Sequence, residues 1–134
     1  METARIIYVS ELQTESTHLA SGSKIRTDAP VDNNGKGSTF SPTDLLCSSL
    51  VSCMLTIMGI KAQKTGFNLG EISSSMTKIM ATEPRRVTRI IIIMKLKGIY
   101  NAKQKALLED AALNCPVAKS LHPEIKQEIE FRYE

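Results

Sequence analysis

The longest pattern in the chain is an apolar segment that carries no charged residue between Asp44 and Lys61. Ser41, followed by a proline and then Asp44, is typical of a helix N-terminus, because the serine can cap it and a carboxylate suits its positive end. Gly66, preceded by lysines, is typical of a helix C-terminus. We therefore predict a helix over residues 42–64 that is apolar nearly all round and buried on most sides.

This helix is too long for one small chain to cover. At about 1.5 Å per residue it spans roughly 35 Å, close to the width of a small domain. A membrane span needs about 20 consecutive apolar residues, whereas this uncharged run is shorter and contains three serines and a threonine. We therefore favour burial against a second copy of the helix over a membrane interpretation.

The remaining patterns predict strands and short helices around that helix. Short apolar or alternating runs indicate strands over residues 4–9, 15–20, 24–27, 70–81, 87–98 and 123–133. Residues 101–113 and 117–122 are predicted helices, and residues 28–40 a loop rich in Asp, Asn, Gly and Pro. The order β-β-β-α-β-β-α-α-β, with mostly hairpin connections, predicts a single α+β domain over residues 1–134 with antiparallel sheet.

Three of these elements carry predictions about burial. The run at 4–9 is apolar enough for a buried strand, and the isoleucine run within 87–98 suits burial on both faces. The strand at 123–133 alternates cleanly, which predicts one buried and one exposed face. In the helix at 101–113 the predicted apolar face consists of Ala102, Ala106, Leu107, Ala111 and Leu113.

Composition narrows the function classes. The net charge of +3 is too small to indicate nucleic-acid binding. Arg85, Arg86 and Arg89 cluster beside a proline and are interpreted as a solvated turn. His18 and His122 are isolated, and no metal or cofactor site is expected. The N-terminal residues show no signal peptide, and we expect a cytoplasmic protein.

The three cysteines, Cys47, Cys53 and Cys115, include no C-x-x-C pair, which argues against a disulfide framework or a zinc site. In a reducing compartment, a cysteine pair that does form a bond is catalytic or sensing more often than structural.

Cys115 and Cys53 occupy different settings. Cys115 precedes a proline at the start of a short helix, where helix N–H groups would lower the pKa of its thiol; the alternative is a small buried packing residue. Cys53 lies in the middle of the apolar helix, where cysteines are commonly inert. Its activation would need a cation from elsewhere, and Arg26 is the best placed in sequence. Cys47 faces another side of the helix, about 120° away, and is interpreted as a packing residue.

These motifs together resemble the OsmC/Ohr family of thiol-dependent hydroperoxide reductases. The segment SPTDLLCSSLVSC resembles the family's long-helix motif, which ends in its reactive cysteine, and NCPVAKSL resembles its Cys-Pro motif. The loop segment KIRTDAPVDNNGKG is similar to that of the less-studied branch of the family. The order of the elements fits the family across nearly the whole chain.

The resemblance implies an OsmC-like intertwined homodimer whose antiparallel sheets wrap around a long buried central helix from each chain. It also implies that Cys53 attacks an organic hydroperoxide, that Cys115 resolves the product into a disulfide, and that an external dithiol reduces it. We expect an apolar pocket lined by Leu50, Met54 and Ile57 to favour organic peroxides.

The chain departs from the family at one position. The family's characterised peroxidases place a glutamate directly after the proline of the helix start, where it pairs with an activating arginine. Here that position is Thr43, and Asp44 is rotated from it by about 100°. A second hypothesis is therefore a non-catalytic dimer that binds or senses a small apolar or thiol-containing ligand. A third is a dimeric scaffold in which both cysteines only pack.

Overall fold

A computed structural model describes all 134 residues, Met1–Glu134, and contains the elements in the predicted order. The strands are β1 Ala4–Ser10, β2 Gln13–His18, β3 Lys24–Asp28, β4 Ile72–Ala81, β5 Arg86–Leu96 and β6 Lys126–Tyr133. The helices are α1 Pro42–Thr65, α2 Ala102–Leu113 and α3 Pro116–Ser120, and one 3-10 turn covers Val31–Asn33. The predicted α+β fold class is confirmed. The contacts divide the chain into two compact units, Met1–Leu46 and Cys47–Glu134.

The first unit contains an antiparallel three-stranded sheet in the order β1-β2-β3. Its β1 was predicted to be buried and is not, because Ile6, Ile7 and Tyr8 keep 63%, 58% and 65% of their surface exposed. Ile25 of β3 lies in the same cross-strand row as Ile6, through Ser16, and is also exposed. The single chain thus leaves one apolar face of this sheet uncovered.

The second unit contains a sheet in the order β4-β5-β6. The pairing of β4 with β5 is an antiparallel hairpin, as predicted, but β6 runs parallel to β5. The connection between them contains α2 and α3, and such a crossover lets the chain return in the same direction. The core of this unit is formed by α1, β5 and α2, with the inner faces of β4 and β6 packed against it.

Two predictions about faces need correction. The isoleucine run of β5 is fully buried on one side only: Ile90 and Ile92 have no exposed surface, whereas Ile91 and Ile93 on the other face are half-buried. In α2 the buried residues are Leu108, Ala111 and Ala112, and Leu113 is exposed. The buried face is thus rotated toward Leu108 and Ala112, and the predicted Ala102 and Ala106 are exposed. The alternation predicted for β6 is confirmed.

The central helix has the predicted extent. Gly66 ends it in a left-handed conformation, with φ of +84°, and the Phe67 amide donates to the carbonyl of Ala62 at 3.1 Å. By length and composition α1 could span a membrane, but the core helix of a soluble protein passes the same test. Only 33% of its most apolar 18-residue window is buried within one chain.

Candidate active site

The start of α1 is held by a reciprocal pair of hydrogen bonds. The Asp44 amide donates to Ser41 Oγ at 3.0 Å, and the Ser41 amide donates to Asp44 Oδ2 at 2.9 Å. This arrangement is a capping box, and Ser41 itself is 1% exposed. The Asp44 carboxylate therefore caps the helix start, which supports the view that it is no simple substitute for a glutamate at position 43.

Cys53 lies three turns along α1 and is half-buried in the single chain. Leu50 and Met54, which were predicted to line an apolar pocket beside it, are both 0% exposed. They belong to the closed core and line no opening in this chain. Ile57 is half-buried and remains a candidate lining residue.

Cys115 occupies the predicted cap position of α3. Its Sγ accepts a hydrogen bond from the Ala118 amide at 3.4 Å, and the residue has no exposed surface. Burial raises the pKa of the Cys115 thiol, and this effect outweighs the opposing hydrogen bond from the Ala118 amide. The predicted lowering of the pKa is therefore wrong. A helix of five residues offers little dipole, while complete burial disfavours the thiolate.

The structure brings Cys53 and Cys115 together. A side-chain hydrogen bond and the charge of Cys53 raise the pKa of Cys115 further, so the two side chains lie close enough to interact. Both are free thiols in this structure. The pair combines one thiol that reaches the surface with one that is buried and held protonated, which suits an attacking thiol and a resolving partner.

Two further candidate residues, Arg26 and Cys47, lie on β3 and on α1 respectively. Arg26 is on β3 in the first unit, with its Nε 3.4 Å from Glu15 Oε2, and its side chain is 56% exposed. Glu15 is its cross-strand partner, so the ion pair follows from the register of β2 and β3. The role of Arg26 as activator of Cys53 stays a prediction. Cys47 is 0% exposed within the core, as expected of a packing residue.

One buried charged group was missed from the sequence. Asp28, at the end of β3, is 0% exposed and accepts hydrogen bonds at its Oδ2 from the Ser38 amide at 3.0 Å and the Ser38 hydroxyl at 2.5 Å. Its own amide donates to Phe40 O at 3.1 Å. These bonds close the loop over residues 29–40 just before α1. The only sequence signal was an aspartate at a strand end, which is common in ordinary turns.

These features define an α+β protein with a long central helix and a paired-thiol site. The sequence model described as "OsmC-like protein" matches residues 35–130, and the chain belongs to this family. No protein of curated function matches the sequence.

Solved structures agree with this assignment. A protein from Psychrobacter arcticus 273-4, described as a "putative osmotic stress induced and detoxification response protein", is 45% identical, with a TM-score of 0.94 over 98% of this chain and 96% of that chain. An OsmC-like protein from Mycoplasma pneumoniae is 14% identical, with a TM-score of 0.80 over 97% and 94%. The organic hydroperoxide resistance protein OsmC from Legionella pneumophila is 13% identical, with a TM-score of 0.72 over 98% of both chains. The last two show the shared fold alone.

Proposed function

We propose that the protein reduces organic hydroperoxides with Cys53 as the attacking thiol and Cys115 as the resolving thiol. The proximity of Cys53 to Cys115, whose thiol pKa it raises, is the observation that carries this proposal. The proposal includes a cytoplasmic location, where cellular dithiols keep such cysteines reduced between turnovers.

The chemistry balances with one external reductant. The Cys53 thiolate attacks the peroxide, the O–O bond breaks, and one oxygen leaves as an alcohol while Cys53 becomes a sulfenic acid. The Cys115 sulfur then displaces the hydroxyl group, which forms a disulfide and releases water. An external dithiol reduces this disulfide through a mixed disulfide and is itself oxidised. The protonated state of Cys115 leaves it unreactive toward peroxide until Cys53 has been oxidised.

We further propose that the active form is an intertwined homodimer. Most of the apolar window of α1 is exposed in one chain, and so is the apolar face of the β1-β2-β3 sheet that contains Ile6, Tyr8 and Ile25. A second copy of the chain offers the same apolar surfaces in return, as a two-fold interface requires. Cys53 lies on α1, so its surroundings would be completed by the partner subunit, and a pocket for an apolar peroxide would form there.

The test is to expose the reduced protein to one equivalent of cumene hydroperoxide and to map the disulfides by peptide mass. We expect a Cys53–Cys115 disulfide within one chain. Cys53→Ser should abolish peroxide consumption, and Cys115→Ser should leave a sulfenic acid that dimedone traps. Cys47→Ala is the matched control and should form the same disulfide as the parent.

The alternative function is ligand binding or sensing without turnover. Thr43 replaces the family's glutamate, and Asp44 is held in the capping box. If both thiols survive the peroxide unchanged, or if Cys53→Ser consumes peroxide at the parent rate, the reductase proposal is wrong. A dimer that binds a small apolar or thiol-containing ligand would then be the better account.

A further inference from the structure

The two residues of the thiol pair differ in how far the protein covers them. Cys115 has no exposed surface and belongs to the buried cluster of the Cys47–Glu134 unit, whereas Cys53 is half-buried in the single chain. Once the pair has formed a disulfide, an external thiolate must attack one of its two sulfur atoms. The difference in burial therefore bears on which of the two sulfur atoms is attacked.

Hydrogen bonds hold the backbone of Cys115 and of the helix that follows it. The Cys115 amide donates to Ala112 O at 3.4 Å, and the Cys115 carbonyl accepts from the Lys119 amide at 3.1 Å. Further along α3, the Ala118 carbonyl accepts a hydrogen bond from Gln127 Nε2 of β6 at 3.2 Å. None of these three bonds uses the Cys115 sulfur, so all of them can remain when that sulfur becomes part of a disulfide. We therefore expect Cys115 Sγ to stay covered in the oxidised protein.

The surroundings of Cys115 Sγ block an attack on it. A thiolate attacks a disulfide sulfur along the line of the S–S bond, from the side opposite the sulfur that leaves. On Cys115 this approach would come from the side away from Cys53. No side of Cys115 is open to solvent, because the residue lies in the buried cluster that also contains Leu108 and Ala112.

Cys53 must have a route to its sulfur if the proposed function is correct, because an organic hydroperoxide has to reach Cys53 Sγ in order to react. In the single chain its neighbours on α1, Ser52 and Thr56, are exposed. A reducing thiolate can follow the route of the peroxide after the alcohol and water have left. Cys53 is thus the sulfur that both reactants can reach.

The pKa of the leaving thiol acts in the opposite direction. Burial raises the pKa of Cys115, and a thiol with a higher pKa is a poorer leaving group. The hydrogen bond from the Ala118 amide to Cys115 Sγ, at 3.4 Å, opposes this effect because it lowers the same pKa. Access decides between the two sulfur atoms, since a poor leaving group slows the exchange whereas a covered sulfur is not attacked at all.

We infer that the external dithiol attacks Cys53 Sγ, so that the mixed disulfide forms on Cys53 and Cys115 is the leaving group. The inference rests on the proposed function, which supplies the disulfide. A new S–S bond joins the reductant to Cys53, the Cys53–Cys115 bond breaks, and its electron pair goes to Cys115 Sγ, which takes up a proton. The second thiol of the reductant then displaces Cys53 and closes the reductant's own disulfide.

The experiment measures the same exchange in reverse, because the sulfur that carries the mixed disulfide during reduction is also the one that attacks an organic disulfide during oxidation. Two variants are made in a Cys47→Ala protein: Cys115→Ser leaves Cys53 as the only thiol, and Cys53→Ser leaves Cys115. Each reduced protein is incubated with 2-hydroxyethyl disulfide, and the adduct is followed by intact mass. We expect the adduct on Cys53 to form about tenfold faster or more, because access governs thiol exchange. In denaturing urea the two rates should be similar.

A second measurement uses the parent protein. Its disulfide is formed with diamide, treated with 2-mercaptoethanol and quenched with N-ethylmaleimide, and peptide mass shows which cysteine carries the adduct. We expect the adduct on Cys53 and the maleimide on Cys115.

The outcomes separate this inference from the proposed function. Equal exchange rates in the two folded variants, faster exchange at Cys115, or an adduct on Cys115 in the parent each overturn the inference. A parent protein that forms the disulfide with diamide but not with cumene hydroperoxide would contradict the proposed function and leave Cys53 as the attacked sulfur. A protein that forms no Cys53–Cys115 disulfide with either oxidant would overturn both.

Discussion

At the scale of single residues, the two site cysteines show how burial decides between opposing effects. Cys115 occupies a helix cap, which favours a thiolate, yet its complete burial raises the pKa of the thiol. Cys53 keeps a surface that a reagent can reach. The same chemical group thus has two different environments, which suits the two roles proposed for these cysteines.

Asp28 shows the same competition with the opposite result. The Ser38 hydroxyl and amide lower the pKa of the Asp28 carboxyl below its ordinary value of 3.8, and burial only partly opposes them. Its Oδ1 is buried without a hydrogen-bond partner. A buried carboxylate that remains charged must be held firmly by its donors, and here those donors close the loop that leads into α1.

We expect the Asp28–Ser38 contact to stabilise the fold in a pH-dependent way. A lowered carboxyl pKa contributes stability that is present above about pH 3.8 and is lost as the pH falls through the lower, folded-state value. Asp28→Asn should therefore have a lower urea midpoint than the parent at pH 7, and the difference should shrink toward pH 2.5. Glu124→Gln, at an exposed position, is the control and should follow the parent at both pH values. A constant difference across this range would contradict the prediction.

At the scale of elements, the position of the site depends on where α1 begins. The capping box between Ser41 and Asp44 fixes the first turn, and the register of Cys53 along the helix follows from it. The left-handed Gly66 fixes the other end. Both signals are local and were readable in the sequence.

Removing the cap should weaken the start of the helix. Ser41→Ala removes the acceptor for the Asp44 amide and should lower the free energy of unfolding by about 1 kcal/mol. Ser52→Ala, at an exposed position within the same helix, replaces serine by a better helix former and should be neutral or slightly stabilising. Urea unfolding of the two variants checks this contrast. Equal losses would mean that the capping box contributes nothing specific.

At the scale of the whole molecule, the single chain leaves apolar surface uncovered. The helix α1 is only partly buried, and the sheet of the first unit exposes a row that contains Ile6 and Ile25. Apolar patches of this kind mark interaction sites in soluble proteins.

The two faces of the first sheet should differ in their effect on assembly. Ile6 shares its row with Ser16 and Ile25, whereas Ile7 shares its row with Glu15 and Arg26. Ile6→Asp places a charge on the apolar face and should shift the proposed dimer toward monomer at micromolar concentration. Ile7→Asp, on the charged face, should leave the dimer intact. Size exclusion with light scattering measures both, and a parent protein that is a folded monomer would refute the dimer.

Much of the fold could be predicted from the sequence because its signals are local. The caps of α1, the alternation of β6 and the element order all follow from residue patterns, and each is confirmed. Of the predicted face of α2 only Ala111 is fully buried, because the surface that a helix packs against decides which of its sides is covered. The burial predicted for β1 was wrong for the single chain, since hydrophobicity indicates that a strand needs covering but not what covers it.

The candidate site also has features that could be predicted from the sequence and features that could not. The sequence by itself determined the central helix with Cys53 in its middle, the cap position of Cys115 and the family resemblance. Only the tertiary structure decided that Cys53 lies near Cys115 and that burial raises the pKa of the Cys115 thiol. Both facts depend on contacts between residues far apart in the chain, Cys53 on α1 and Cys115 at the start of α3. Such contacts form when the whole unit packs, and they cannot be predicted from local sequence patterns.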